Sequence, residues 1–375
     1  MRVLFIAPLP PPITGHSLVS KVLYESLAKT DVVTAVDLGV ATRHDGTITA
    51  RRLREVAKAF AAIRRHVREA DVLYLTIAES MAGNAKDIAI YCLCFRHLHK
   101  MVLHLHGGTI GRKLFEPFPA VKSINAFFIR RMGGVIVSGQ SHREIFADMI
   151  DSNRLHLIPN FAQDSLFVRE DAVAEKFART SPLRVLYISA MTKAKGYRDL
   201  SDGYASLDDQ SRSRIRIDFA GAFETDSERT AFLESIRPFG GLAYHGLVDD
   251  EAKRRLFAEA HLFCLPTTML EGQPVSILEA YASGCAVMTT GQRGILDVFA
   301  NGTNGLEIAE RDPASIRDNL RVALSSVETL RQFALTNRRA AEKHYRAATF
   351  TANVRDALRA SATAARVSRA PRDNG

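Results

Sequence analysis

Glu271 and Glu279 stand eight positions apart, with Gly272-Gln273-Pro274 after the first and the apolar run Val275 to Leu278 leading to the second. A Gly and a Pro beside a carboxylate read as a turn, and the run behind them reads as a helix. At about 3.6 residues a turn, Glu271 falls in the loop and Glu279 about two turns along. The first amides of a helix have no partner inside it and point their positive ends outward. A phosphate suits that end, with a carboxylate on each side of it. Pro274 has no amide to contribute.

Other residues with chemistry stand where strands are predicted to stop. Lys193, Lys195 and Gly196 follow the strand-like residues 184–189, and a Lys beside a Gly can clamp a phosphate or lie solvated at the surface. His106 ends the strand-like residues 101–105 beside Gly107 and Gly108, which let a ligand approach closely. Alternation puts His104 on the same face, where it reads as a core histidine with its hydrogen bonds met. Gly15, after the first strand, is open to two readings, a phosphate or acceptor contact and a simple turn.

The elements that must position these groups repeat twice. Residues 2–7, 32–38, 71–76 and 134–138 read as short strands, 101–109 as a strand running into a glycine turn, and 155–160 as the close of the first domain; 184–189, 215–221, 242–248, 261–266 and 286–290 continue the series. Helical patterns lie between them, so the expectation is α/β, with parallel sheets and ligands at the carboxyl ends of strands. Two domains are expected, at 1–165 and 180–344, with residues 162–181 as a polar linker. Ser141 is the expected cap of a helix. Gly302 and Gly305 mark a tight turn, residues 313–360 are helical by pattern, and 367–375 read as a frayed end.

The chain has 375 residues, 46% hydrophobic and 24% charged, and a net charge of +9. Residues 1–165 carry 21 Lys+Arg against 14 Asp+Glu, or +7, and residues 166–375 carry 29 against 27, or +2. The basic half points to an anionic partner, whether membrane, phospholipid-linked substrate or nucleic acid, or simply to solubility. Residues 50–69 alternate arginines with an apolar stripe and could lie on anionic lipid or pack on a sheet. Residues 115–131 mix Phe with Arg and Lys and read as a second membrane or acceptor surface, or simply as a helix with a core face. No apolar run reaches the roughly 18 residues of a membrane span, and the N-terminus reads as a strand and not as a signal peptide, so a cytoplasmic protein is expected. Cys92, Cys94, Cys264 and Cys285 lack metal or disulfide spacing and read as buried thiols in a reducing compartment.

Several pieces in order resemble the retaining GT-B glycosyltransferases of family 4, the group with the E-x7-E motif. They are Tyr187-Ile188-Ser189 with Lys195-Gly196, Phe219-Ala220-Gly221, Tyr244-His245-Gly246, Glu271-Gly272 with Ile277-Leu278-Glu279-Ala280, Gly284, and Gly302 with Gly305. Gly15, His106-Gly107 and Ile158-Pro159-Asn160 add to them in the first half. The resemblance implies two Rossmann-like domains facing a cleft, with a last helix, about 345–365, crossing back to the first domain. It implies a nucleotide-sugar donor on the second domain and a glycan or polyprenyl-linked acceptor on the first, with no further cofactor, no metal and no nucleic acid. It assigns Lys195 and the amides of Gly272 and Gln273 to the donor diphosphate, Glu271 to the transferred sugar and Glu279 to the ribose. His106 is implied at the sugar, and the loop holding Gly246 beside the base. Ala190 stands where the pattern has an Arg, and Lys193 is the nearest replacement charge. Gln273-Pro274, His16 and Leu296-Asp297 also depart from it.

Sugar transfer builds positive charge at the anomeric carbon and negative charge on the leaving diphosphate. No D-x-D metal pair is evident, and Lys195 with the Gly272 turn answers the second charge. Retention through a covalent Glu271 and retention by attack from the leaving-group face are both open. Three rivals are an epimerase on the same fold, an NAD enzyme and a non-catalytic glycan- or membrane-binding protein. The second lacks a G-x-G-x-x-G after a strand, and the third needs both carboxylates to be structural.

Overall fold

The computed structural model describes residues 1–11, 14–38 and 50–367, and for 50–53 and 367 the backbone alone. Pro12, Ile13, the side chains of Arg51, Arg52 and Leu53, and the polar end beyond 367 therefore lie outside the described residues. The chain divides into two compact units. The first is Met1–Asn160 with the chain from Ala348 onward, and the second is Phe161–Ala347.

The first unit is built on β1 (Arg2–Ala7), β2 (Val32–Asp37), β3 (Val72–Thr76), β4 (Met101–Leu105), β5 (Gly134–Val137) and β6 (Leu155–Leu157), paired in parallel in the order β2-β1-β3-β4-β5-β6. β3, β4 and β5 are buried at every position, as their unbroken apolar runs require of strands covered on both faces. The helix Ala347–Val367 belongs to this unit. Arg355 on it donates to the Ser26 carbonyl at 3.0 Å, Arg366 pairs with Asp71 at 3.0 Å, and Val354 and Leu358 are buried.

The second unit holds β7 (Leu183–Ile188), β8 (Ile215–Ala220), β9 (Leu242–Tyr244), β10 (Leu262–Leu265), β11 (Ala286–Thr290) and β12 (Gly305–Ile308), all parallel, in the order β12-β11-β10-β7-β8-β9. The order reverses between β1 and β3 in the first sheet and between β7 and β10 in the second. At such a point the two neighbouring loops run to opposite faces, and a crevice opens at the carboxyl ends.

The structure corrects three local expectations. Residues 162–181 are not a free linker: they hold the helix Glu170–Phe177, whose Val173 and Phe177 are buried in the second core. Val173 leaves no room for a Cβ at Gly284, where φ is +63°. The helix Gln140–Phe146 is capped at Gly139, so Ser141 lies within its first turn. Residues 313–360 are helical as expected, in Pro313–Ser325, Val327–His344 and the start of Ala347–Val367. Cys92 is an exposed thiol, whereas Cys94, Cys264 and Cys285 are buried as expected.

Candidate active site

The loops after β7 and β10 bring Lys195 and Glu271 together at the reversal point of the second sheet. Lys195 Nζ donates to Glu271 Oε1 at 2.5 Å, and the Thr267 hydroxyl donates to the same oxygen at 2.8 Å. The loops are tied along their length. Thr268 N donates to the Ala194 carbonyl at 2.8 Å, and the Thr267 hydroxyl also reaches it at 3.3 Å. Lys195 ends a 3₁₀ turn, Lys193–Lys195, closed by Gly196 with φ +76°. A Cβ at Gly196 would stand 2.0 Å from the Pro266 carbonyl oxygen, so only glycine lets the two loops meet. Lys193 is exposed on the same turn.

Behind Glu271 the chain makes its turn and enters the helix Val275–Ala282, with Pro274 as N-cap and no side-chain cap. Gly272 and Gln273 are buried there. The short helix Arg293–Leu296 presses on this turn through Gly294, where a Cβ would lie 1.6 Å from the Gly272 carbonyl oxygen and 2.3 Å from that of Glu271.

Glu279, on the same helix, is 3% exposed. Its carboxylate accepts from Lys253 Nζ at 2.5 Å, and Lys253 also donates to Gln163 Oε1 at 2.7 Å. Burial pushes the Glu279 carboxyl above the usual range, against the pull of Lys253. Beyond β9, His245 Nε2 lies 2.7 Å from Asp218 Oδ1. Gly246 follows with φ +70° and open space where a Cβ would be.

In the first unit, His106 sits at the end of β4 in a group of rings. The His104 and His16 centroids lie 3.9 Å and 4.4 Å from its own. The Tyr74 hydroxyl is 2.7 Å from His104 Nδ1 and 3.4 Å from His106 Nε2. The expectation for His104 is met at one nitrogen only: His104 Nε2, His106 Nδ1 and His16 Nε2 are buried with no hydrogen-bond partner among the described residues. Next to them Glu79 accepts from the amides of Thr109 and Ile110 at 2.6 Å and 2.9 Å. Gly107 makes room for it, since a Cβ there would stand 1.7 Å from Glu79 Oε2. Gly15 opens the helix Gly15–Ala28 behind the Thr14–Ser17 capping box, and among the described residues no atom lies within 4 Å of where its Cβ would be.

Burial holds these imidazoles neutral. It lowers His104 to about 3, with His16 adding to the shift, lowers His16 to about 4, with Lys86 adding, and takes His106 well below its ordinary value. Each folded value is below the unfolded one of about 6.5, so the unfolded chain binds more protons once the pH falls past that point. The stability these groups contribute is complete above about pH 6.5 and is lost toward pH 4, at up to about 1.4 kcal/mol per pH unit for each. The urea midpoint should therefore fall steeply from about pH 6.5 to about pH 4, and His16→Gln should flatten the slope. A midpoint independent of pH in both proteins would contradict neutral imidazoles.

Residues 168–340, inside the second unit, match the family described as glycosyl transferases group 1. The second unit carries a glycosyltransferase domain. An uncharacterised glycosyltransferase of Methanocaldococcus jannaschii is 20% identical over 237 residues, which are 59% of this chain and 58% of that protein, so the match spans under two thirds of that relative. HepE of Anabaena, crystallised with UDP-glucose, is 15% identical, with a TM-score of 0.72 over 96% of this chain and 99% of its own. Sucrose-phosphate synthase of Thermosynechococcus elongatus is 13% identical, with a TM-score of 0.74 over 97% and 99%. At such identities the likeness establishes the fold, which is the two-unit α/β architecture of the GT-B glycosyltransferases.

Thr267, Lys253, Gln163, Asp218, Glu79, Tyr74 and Gly294 join these groups without being singled out by sequence. Lys253 is 26 positions from Glu279 and Gln163 is 90 from Lys253. No local pattern carries such a contact. Thr267, four residues before Glu271, was within reach of a closer reading of the loop.

Proposed function

We propose that this protein transfers a hexose with retention from a UDP- or GDP-linked donor to a glycan or lipid-linked acceptor in surface polysaccharide synthesis, without a metal. The observation that carries the reading is the Lys195–Glu271 pair at the reversal point of a glycosyltransferase domain. HepE of Anabaena, crystallised with UDP and with UDP-glucose, supports a UDP sugar as the first donor to try.

Lys195 and Glu271 form a pair in which each charge offsets the other. An arriving diphosphate competes for the ammonium, and Glu271, still held by Thr267, turns to the sugar hydroxyls. Lys195 then faces the oxygen on which negative charge grows as the anomeric C–O bond breaks, the place where a preformed charge lowers the barrier. The acceptor oxygen forms the new bond to that carbon, and its proton passes to the departing diphosphate. Glu279 with Lys253 holds the ribose, Lys193 adds charge at the phosphates, and the loop at Gly246 leaves space for the base. In the first unit we assign His106, as a neutral hydrogen-bonding group, and Gly15, at the start of the helix after β1, to the sugar and acceptor.

A thermal-shift panel of UDP, GDP and ADP sugars tests the donor, because a ligand at 100 times its dissociation constant adds about 2.7 kcal/mol of stability. Glu271→Gln keeps the size of the side chain and removes its charge, and turnover should fall by about 10² or more while the donor-induced shift persists. Full activity in that variant would overturn the assignment. Incubation with donor alone separates transfer from epimerisation, the anomer of the product reports retention, and activity in EDTA reports metal independence.

A further inference from the structure

Eleven large hydrophobic side chains are exposed among the described residues, and five of them, Met81, Phe95, Phe118, Ile124 and Phe127, belong to two neighbouring helices of the first unit and the residues that flank them. Each is between 44% and 48% exposed. The surface is made by the helix Met81–Leu93 with the turn behind it and by the helix Pro119–Ile129. The two helices pack directly. Asn84 and Asn125 exchange side-chain hydrogen bonds at 3.1 Å and 3.0 Å, and the Phe95 and Phe127 rings stack at 6.2 Å.

The outward face of the first of these helices is without charge. Met81, Ala82, Ala85, Ala89 and Cys92 are its exposed residues. Its two charged residues, Lys86 and Asp87, are turned inward and pair at 3.2 Å. A surface helix ordinarily shows water its polar side. A contiguous apolar face rimmed by polar groups marks a binding surface.

The rim is basic. Of the seven Lys and Arg in residues 95–131, Lys100 is buried and Lys122 pairs with Asp148 at 2.8 Å, which leaves five beside the single acid of the segment, Glu116. Arg96, Arg112, Lys113, Arg130 and Arg131 are exposed, and the Arg131 guanidinium lies 3.9 Å above the Phe127 ring. On the other flank, the helix Ala50–His66 packs beside the first helix, with Ile63 and Ile90 lining a shared cleft, and adds exposed Arg54, Arg64 and Arg65. A second copy of the chain, joined through a two-fold axis, would bring two basic rims together. An anionic surface is complementary.

We infer that this two-helix face docks the protein onto an anionic lipid bilayer, with the phenylalanines entering the headgroup boundary and the arginines held at lipid phosphates. The face carries the contact, and the helix Ala50–His66 is its flank. The inference stands apart from the catalytic reading, because the surface contains none of the residues assigned to transfer.

Flotation of the full chain tests it, with vesicles of phosphatidylcholine alone and with about one third phosphatidylglycerol. Wild type should float with the anionic vesicles, at least about tenfold more than with the neutral ones, and salt should release it. Phe95→Ser with Phe127→Ser, and separately Arg130→Glu with Arg131→Glu, should each lower binding by about tenfold or more at an unchanged melting temperature. Transfer to a soluble acceptor should be unaffected. Absent flotation, or flotation that both double variants retain, would overturn the inference. So would a concentration-dependent dimer that the Phe variant dissolves, since the face would then belong to a second copy.

Discussion

Lys195→Ala should lower transfer by about 10² to 10³, the cost of removing one preorganised charge from a developing oxyanion. The loss should fall mainly on turnover, because the charge on the leaving diphosphate is largest in the transition state. Folding should change less. The Lys195 side chain is 18% exposed and that of Glu271 11%, so the orphaned carboxylate keeps some water and the Thr267 hydroxyl. A cost of about 1–3 kcal/mol is expected for leaving that group unpaired. The double variant with Glu271→Gln should recover part of the stability and none of the activity. Steady-state rates beside urea curves for the single and double variants check both. Wild-type turnover in Lys195→Ala would remove the diphosphate assignment.

Gly294→Ala should be nearly as damaging to activity, although Gly294 carries no functional group. The added Cβ would overlap two carbonyl oxygens of the Glu271 turn, at 1.6 Å and 2.3 Å, and backbone cannot yield as the tip of a side chain does. Either the helix Arg293–Leu296 retreats or the turn moves, and both displace Glu271 from Lys195 and Thr267. Overpacking of this kind typically costs 1–3 kcal/mol, roughly, and a displacement of about 1 Å in a positioning element can cost about 10² in rate. Rate and melting temperature should fall together. Alanine at Gly302, where a Cβ meets nothing but φ is +73°, should affect stability alone. A fully active Gly294→Ala would show that the turn tolerates movement and that Glu271 is not held as described.

Much of this molecule was readable from its residues because the signals are local. Runs such as Val72-Leu73-Tyr74-Leu75 bury both faces of a parallel strand, and period and composition disclose that without reference to the rest of the chain. Glu271, Lys195 and His106 were legible for the same reason: each follows a predicted strand and adjoins a glycine. The basic half was legible as charge, without the place where that charge does anything.

Tertiary structure decided what depends on neighbours far along the chain. Strand order is one such property, since the reversal between β7 and β10 puts Lys195 against Glu271 across 76 residues. The partner of Glu279 is another, as is the close packing that demands glycine at 294. The segment 162–181 looked like a linker because its charges are visible in sequence and the burial of Val173 and Phe177 is not. The exposed aromatic face is the same case reversed. Phe127 and Phe128 are adjacent and identical in type, and only the packing of one helix on another puts the first in water and the second in the core. Composition sets how strongly a side chain avoids water, and the fold sets which side chains are left facing it.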